Sequence, residues 1–313
     1  MSVSGVGHTR PRALVTGGGG FIGANTVRAL LNHGHDVTVM DNWSTGRAEY
    51  LAGLDVRIVT ADILDRTAVE DVMRGHGIVV HLAAQTGVPG SLEDPYRDCE
   101  TNVVGTLNVL TAARNHAVSR FVFASSNAPL GRQQPPATED MAPLPISPYG
   151  ASKLAGEAYC LAFHGSWGLA TVALRFGNVY GPFCSHKESV IAKFFRHVRD
   201  RGELTIYGDG SQTRDFIFVG DLSRAIVRAV EGHVAGEIFQ IASGRETSIA
   251  QLARIVAEVA GQEVTTVNAP KRPGDMDRNF ARVGKAERLL GWEPEVELPD
   301  GLRMTWDWMQ AHS

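Results

Sequence analysis

The chain has 313 residues, 43% hydrophobic and 20% charged, enough to bury the core of one large domain or two smaller ones. Its 30 Lys and Arg stand against 34 Asp and Glu, a formal net charge of -4 that builds no basic footprint for nucleic acid, and no apolar run is long enough to span a bilayer. The first dozen residues lack the apolar stretch of a signal peptide, and three scattered cysteines (Cys99, Cys160, Cys184) make no metal spacing; the odd, sparse count suits reduced thiols in a cytoplasm.

Ala13-Leu-Val-Thr16 is a short apolar run ending in glycines, which reads as a buried parallel strand. Gly17, Gly20 and Gly23 then give Gly-x-x-Gly-x-x-Gly, followed by helical spacing over residues 21–32 and a stop at Gly34. Gly17 permits the tight turn, Gly20 lets backbone approach a pyrophosphate, and Gly23 lets the helix pack on the sheet. The helix opening at Phe21 and Ile22 turns its positive end to the phosphates. An ordinary glycine-rich turn is the plain alternative; a strand before and a helix after favour the dinucleotide loop.

Residues 37–40 form a second strand closed by Asp41. A carboxylate there suits two ribose hydroxyls and repels a 2'-phosphate, so NAD is expected rather than NADP, with Arg47 a solvated loop residue. Residues 56–60, 78–82, 121–124 and 170–176 read as further strands, with helical patterns such as 101–116 between them. This alternation predicts an α/β fold, a Rossmann-type doubly wound parallel sheet. Asp62 and Ile63 fit either an adenine contact or a strand-end turn. Leu82, Ala83 and Ala84 are small enough to wall a dinucleotide, and His81 before them reads as a core histidine. Cys160, on an apolar helical face, reads as a small core residue.

In Tyr149-Gly-Ala-Ser-Lys153 the Tyr and Lys share one face of a helix that reaches about residue 163. The ammonium would favour the charged phenolate, whose ordinary pKa of ~10 makes it a poor base at neutral pH. The same spacing also describes the start of an amphipathic helix; the upstream glycine loop turns the reading toward a site. After Gly181 the pattern loosens: a polar loop over 182–189, a helix over 190–201, short strands at 204–207 and 216–219, and a capping box at Ser248-Ile-Ala-Gln251 opening a helix to Ala260. A loop over 270–277 and a helical tail ending near Gln310 close the chain. The expected organisation is an NAD-binding domain over 1–180 and a smaller substrate lobe over 181–313, some of whose segments return to the sheet. A ligand belongs in the cleft between them.

Taken in order, Thr16-Gly-Gly-Gly-Gly-Phe-Ile-Gly23, Asp62-Ile63, His81-Leu-Ala-Ala84, Asn102-Val-Val-Gly-Thr106, Ser125-Ser126, Ser147-Pro-Tyr-Gly-Ala-Ser-Lys153, Leu174-Arg-Phe-Gly-Asn-Val-Tyr-Gly-Pro182, Gly208-Asp-Gly-Ser-Gln-Thr-Arg-Asp215 and Arg272-Pro-Gly-Asp275 cover nearly the whole chain. As a set they resemble the extended short-chain dehydrogenase/reductases, in the nucleotide-sugar epimerase/dehydratase branch typified by UDP-glucose 4-epimerase. The resemblance implies Tyr149 as base, Lys153 as its electrostatic partner and Ser126 as the hydroxyl that meets the sugar's O4. It implies an NAD shell to which Asn42, Asn102 and Phe176 also belong, and substrate contacts from Thr86, Asn178, Arg214, Arg272 and Asn279. Two guanidinium forks suit a nucleotide diphosphate, although Arg214 could instead pair with Asp215. The expected partners are a UDP-linked nucleotide sugar and a second copy of the chain through the helices at 101–116 and 149–163.

The chain departs from that pattern at Ser126-Asn-Ala-Pro-Leu-Gly131, where Leu130 replaces the usual Tyr. The Asp-Glu pair of the 4,6-dehydratases is here Asn127 and Ala128, neither an acid nor a base. The expected activity is therefore 4-epimerisation of a nucleotide-linked hexose or hexuronic acid. A 4,6-dehydratase, a 4-ketoreductase and a non-catalytic NAD-binding sensor are the alternatives. A side chain smaller than Tyr at Asn279 would leave room for an N-acetyl group, and Arg278 beside it reads as a solvated charge.

Overall fold

The computed structural model describes residues 10–271 and 276–312. Its first half alternates β1 (Ala13–Thr16), α1 (Phe21–Asn32), β2 (Val37–Asp41), β3 (Arg57–Thr60), α2 (Arg66–Met73) and β4 (Ile78–His81). Two short helices, α3 (Val88–Glu93) and α4 (Pro95–Cys99), lead through a π-helical turn at Glu100–Gly105 into α5 (Thr106–Asn115). Then follow β5 (Arg120–Ser126), α6 (Pro148–Trp167) and β6 (Thr171–Phe176).

Beyond β6 the chain leaves the sheet through β7 (Asn178–Tyr180), α7 (Val190–Arg201), β8 (Glu203–Tyr207), β9 (Thr213–Arg214) and β10 (Phe216–Phe218). It returns along α8 (Val219–Glu231) to β11 (Glu237–Ile241), then leaves again through β12 (Thr247–Ser248), α9 (Ile249–Ala260), β13 (Thr265–Ala269), α10 (Gly284–Leu290) and α11 (Leu298–Ala311).

Seven parallel strands stand in the order β11-β6-β5-β4-β1-β2-β3. β1, β2 and β4 are buried along their whole length, as strands covered on both faces must be. One core lies where Val15, Val39 and Val80 of the sheet meet Val27 and Leu30 of α1 and Ile226 of α8; Leu14, Val79 and Phe121 meet Leu110 of α5 and Phe163 of α6 in another. A third core joins α7, α9 and α11 around Phe195, Leu252 and Trp306. Cys160 is fully buried in the second core.

The helix expected over 101–116 has a π-helical first turn, and the helix opened by Tyr149 runs four residues past its expected end, to Trp167. The strand expected at 216–219 stops at Phe218, because Val219 already begins α8. Ser248 caps α9 through a hydrogen bond accepted from the Gln251 N–H at 3.0 Å. No helix among the described residues is long and apolar enough to cross a membrane.

Candidate functional site

The carboxyl ends of the strands open on a cleft of about 570 Å³ where the strand order reverses between β1 and β4. Its walls bring together Gly17, Gly20, Phe21, Ile22, Gly23, Asp41, Asn42, Asp62, Ile63, Leu82, Ala83, Ala84, Thr86, Tyr149, Lys153 and Phe176. Gly17 adopts φ +71, and a Cβ on Gly23 would lie 2.2 Å from the Gly17 carbonyl oxygen, so helix and loop close only over glycine. Gly20 caps α1 without a side-chain hydrogen bond, which leaves first-turn N–H groups to the cleft.

Asp41 accepts from the Gly19 N–H at 2.9 Å and the Trp43 N–H at 2.8 Å, so it braces the floor it lines. Asn42 donates to Asp62 at 2.8 Å, while the other Asp62 oxygen accepts from the Leu64 N–H at 2.9 Å; this carboxylate is both turn and wall. His81 is a core histidine, its ring nitrogens 2.7 Å from the Thr16 hydroxyl and 3.0 Å from that of Thr106. Burial, then the nearby Lys153 charge, drives its pKa down to about 3.

Asn102 is not part of the wall. It donates to the Gln85 carbonyl at 3.0 Å, to Asp98 at 2.9 Å and to Ser152 at 3.2 Å, and accepts from the Gln85 N–H at 2.8 Å. The expected cofactor contact is thus a clamp on the loop after β4, because every polar atom of the amide is spent on protein.

α6 carries Tyr149 and Lys153. Ser147 caps it by accepting from the Gly150 N–H at 3.1 Å, and Pro148 occupies the first turn, which fixes where Tyr149 emerges. Lys153 Nζ donates to the Ala124 carbonyl at 2.9 Å and lies 5.9 Å from the centre of the Tyr149 ring. The Ser126 hydroxyl stands beside the Tyr149 phenol and draws its pKa down. That pKa is nevertheless pushed up to about 12: burial outweighs the serine, and the charge of Asp98 adds to burial. Lys153 is driven down to about 8, again by burial, against the pull of Asp98 and Glu157. The expected lowering of the phenol by its neighbouring ammonium is therefore not the balance the protein groups strike: both side chains are desolvated, and the amine is turned onto a backbone carbonyl.

Strand alternation separates the two serines. Ser125 lines the dinucleotide cleft and donates to Glu157 at 2.5 Å, while Ser126 meets the phenol. Glu157 also holds Arg175 in a two-pronged pair at 2.8 Å and 2.8 Å, both side chains almost wholly buried. Motif reading missed this brace, though Glu157 falls four residues after Lys153 on the same helical face. It also missed Lys187, which donates to Thr86 at 3.4 Å across the cleft mouth, and His186, 3.2 Å from the Tyr50 hydroxyl. Both sit in the 182–189 loop, whose sequence carries no periodicity to place them.

A second cavity, about 510 Å³, opens in the small lobe and is lined by Asn178 and Arg214 with Phe194, Tyr207, Gln212 and Ile249. Asn178 donates to the Asp215 carbonyl at 3.2 Å, and Arg214 to those of Thr213 at 2.7 Å and Met276 at 2.8 Å. The Asp215 carboxylate accepts from Ser243, Gly244 and Ala281 rather than pairing with Arg214. Arg278 is exposed, as expected of a solvated charge, and forms a two-pronged pair with Glu246. Asn279 borders a small void beside Asn127 and Leu130. Arg272 lies outside the described residues. No group of three or more potential metal ligands occurs among the described residues.

A profile of the NAD dependent epimerase/dehydratase family matches residues 13–242. The UDP-glucose 4-epimerase of Mycolicibacterium smegmatis is 37% identical over 312 residues, covering 96% of this chain and 99% of that protein. Among solved structures, the Methanobrevibacter ruminantium UDP-N-acetylglucosamine 4-epimerase in complex with UDP-N-acetylmuramic acid superposes with TM-score 0.93 at 32% identity, covering 97% of this chain and 99% of that one. The Thermus thermophilus UDP-glucose 4-epimerase complex with NAD does so with TM-score 0.90 at 37% identity, covering 96% and 100%. The uncapped start of α1 and the carboxylate closing β2 fit the dinucleotide such a family carries.

Proposed function

The chain belongs to the NAD dependent epimerase/dehydratase family, and from that premise we propose that it is a 4-epimerase of a UDP-linked hexose or hexuronic acid, acting through a transient 4-keto sugar. The observation that carries this reading is the placing of Tyr149 and Lys153 together on the wall of the cleft that the glycine loop lines, with Ser126 beside the phenol.

Gly17, Gly20 and the start of α1 would hold the pyrophosphate of NAD, and Asp41 the adenosine ribose. When bound, NAD+ supplies the hydride acceptor for C4 of the sugar and a cationic ring that favours the phenolate of Tyr149. Tyr149 takes the proton of the 4-hydroxyl and later gives it back, while Ser126 orients the same oxygen. Lys153, anchored on Ala124, keeps a positive charge beside the phenol's ring. Asn178 and Arg214 bind the nucleotide diphosphate at the second cavity, and Arg272 is assigned to the same group from its motif. A tether held at one end lets the flat 4-keto sugar present its other face. Dehydration is disfavoured, because Asn127 and Ala128 follow Ser126 where an acid–base pair would be needed.

Leu92, Tyr96, Val104, Leu161 and Trp167 are exposed apolar side chains on the helices from α3 to α6, which supports a homodimer paired through this face. Incubation with UDP-glucose, UDP-N-acetylglucosamine and UDP-glucuronate, with C4 isomers resolved by NMR, tests the activity. Interconversion of at least one pair without added NAD is expected; release of water or consumption of external NADH would replace the reading. Light scattering that gave a monomer at micromolar concentration would remove the dimer.

A further inference from the structure

The loop over 182–189 crosses the mouth of the dinucleotide cleft and is pinned on both sides of it. Its start is tied to α1: Asn25 donates to the Pro182 carbonyl at 3.1 Å, and the Arg28 guanidinium lies 4.5 Å from the centre of the Phe183 ring. Phe183 is held at φ +71, uncommon for so bulky a residue, with the rings of Tyr50 and Trp308 each 4.9 Å from its own. Its end is tied to α7, where Arg196 donates to the Ser185 carbonyl, to that of Lys187 at 2.8 Å and to the Glu188 carboxylate at 3.0 Å. From this fixed backbone the Lys187 side chain reaches Thr86, in the segment after β4. The loop thus runs from the helix that the glycine turn opens to the opposite rim of the cleft.

Lys187 lines that cleft together with Gly17, Gly20 and Thr86, whereas the second cavity takes Glu188 and Arg196 from the same stretch and not Lys187. Its ammonium is half-buried and makes one long hydrogen bond, 3.4 Å to Thr86, and no ion pair among the described residues. The carboxylate next to it, Glu188, is already taken by Lys193 and Arg196. Burial draws the Lys187 pKa down. A desolvated cation in such a place gains from an anion. The other lysine of the cleft, Lys153, is spent on the Ala124 carbonyl beside the phenol. The uncapped first turn of α1 offers N–H groups and a partial positive charge to a pyrophosphate, but no full charge.

We propose that Lys187 is a cofactor-binding residue: its ammonium pairs with the pyrophosphate of NAD and supplies the full charge that the start of α1 lacks, so that the 182–189 loop straps the dinucleotide into the cleft. This rests on the dinucleotide reading of the cleft and not on which sugar the protein acts on.

Lys187→Met and Lys187→Arg test it on the whole protein, with bound NAD counted after gel filtration and the affinities for NAD and UDP measured by equilibrium dialysis. Lys187→Met keeps the apolar stem and breaks no ion pair within the protein, so Tm in the presence of saturating NAD is expected unchanged. Its NAD affinity is expected to fall by about ten- to a hundredfold, as loss of a charged hydrogen bond does. UDP affinity should stay within about twofold. Added salt should weaken NAD binding less in Lys187→Met than in the wild type, because one screened attraction is gone. Lys187→Arg, which keeps the charge, should restore most of the affinity. Unchanged NAD affinity in Lys187→Met would overturn the proposal. So would weakened UDP binding with NAD untouched, which would hand the amine to the nucleotide sugar. A lowered Tm with both ligands weakened, and no rescue by Lys187→Arg, would overturn it in favour of a structural role for the loop. If the wild-type protein bound no NAD, the dinucleotide reading itself would fall and this inference with it; failure to isomerise any sugar offered would leave NAD binding, and so this test, intact.

Discussion

The dinucleotide cleft takes its walls from the ends of neighbouring strands, and its tightest contacts are backbone on backbone: Gly23 against the Gly17 carbonyl, Gly17 against Ala83. The small-lobe cavity is assembled from Asn178, α7, Tyr207, Arg214 and Ile249, segments far apart in sequence that meet through side chains. Backbone contacts tolerate almost no substitution, while side chains can be exchanged one at a time. The first half is thus fitted to one cofactor, and the second, if it holds the nucleotide sugar as proposed, can be retuned without disturbing it.

The largest expected effect lies at the junction of the halves. Tyr149→Phe should cut kcat by about a hundred- to ten-thousandfold while NAD content and nucleotide-sugar affinity stay within twofold or so; if turnover survived, neither half would be serving that phenol. Next is the brace beneath it. Arg175→Met leaves Glu157 buried without its partner, for which a loss of about 3–5 kcal/mol is expected, measured by denaturant unfolding. A full-stability variant would mean that the sheet and α6 do not depend on the pair.

Arg214→Ala and Gly23→Ala sharpen the contrast from either side. The first should cost about 1.5–3 kcal/mol of nucleotide-sugar binding, as loss of a charged hydrogen-bonding group does, with NAD retained. The second forces a Cβ against backbone, at about 1–3 kcal/mol, and should lower NAD retention while calorimetry still detects UDP. If both variants lost both ligands, the two halves would be one cooperative unit rather than separable.

At neutral pH the last effect is silent, and it emerges only on acidification. His81 titrates at about 3 in the fold against 6.5 ordinarily. Between those values the unfolded chain binds a proton that the folded chain refuses, so stability falls as the pH drops through that window, by up to about 1.4 kcal/mol per unit from this group. His81→Gln should flatten the slope of unfolding free energy against pH; an unchanged slope would assign acid sensitivity to other groups.

The same contrast explains what the sequence made legible. Gly17, Gly20, Gly23, Asp41 and the Tyr149–Lys153 pair are bound to local geometry, a strand end or a helix face, and local geometry is written in spacing. The sheet and its order of elements follow from the same periodicity. β11 was not separately legible, since its pairing with β6 depends on residues more than sixty positions earlier. Asn102 has the composition of a ligand contact, and only the π-helical turn that aims it at Gln85 shows otherwise. The direction of the Tyr149 shift is hidden for a related reason: spacing shows that a charge is near, whereas burial, which dominates here, belongs to the assembled fold.

The return of the chain to the sheet has a practical consequence for anyone building chimaeras. α8 and β11 come after the first excursion and before the second, yet they pack in the core shared with α1 and β6. A graft that swapped everything past β6 for a relative's sequence would replace an edge strand and a core helix along with the loops around the second cavity. Moving specificity between relatives therefore calls for two separate inserts, one on each side of the α8–β11 unit, with that unit left in place as the host's own.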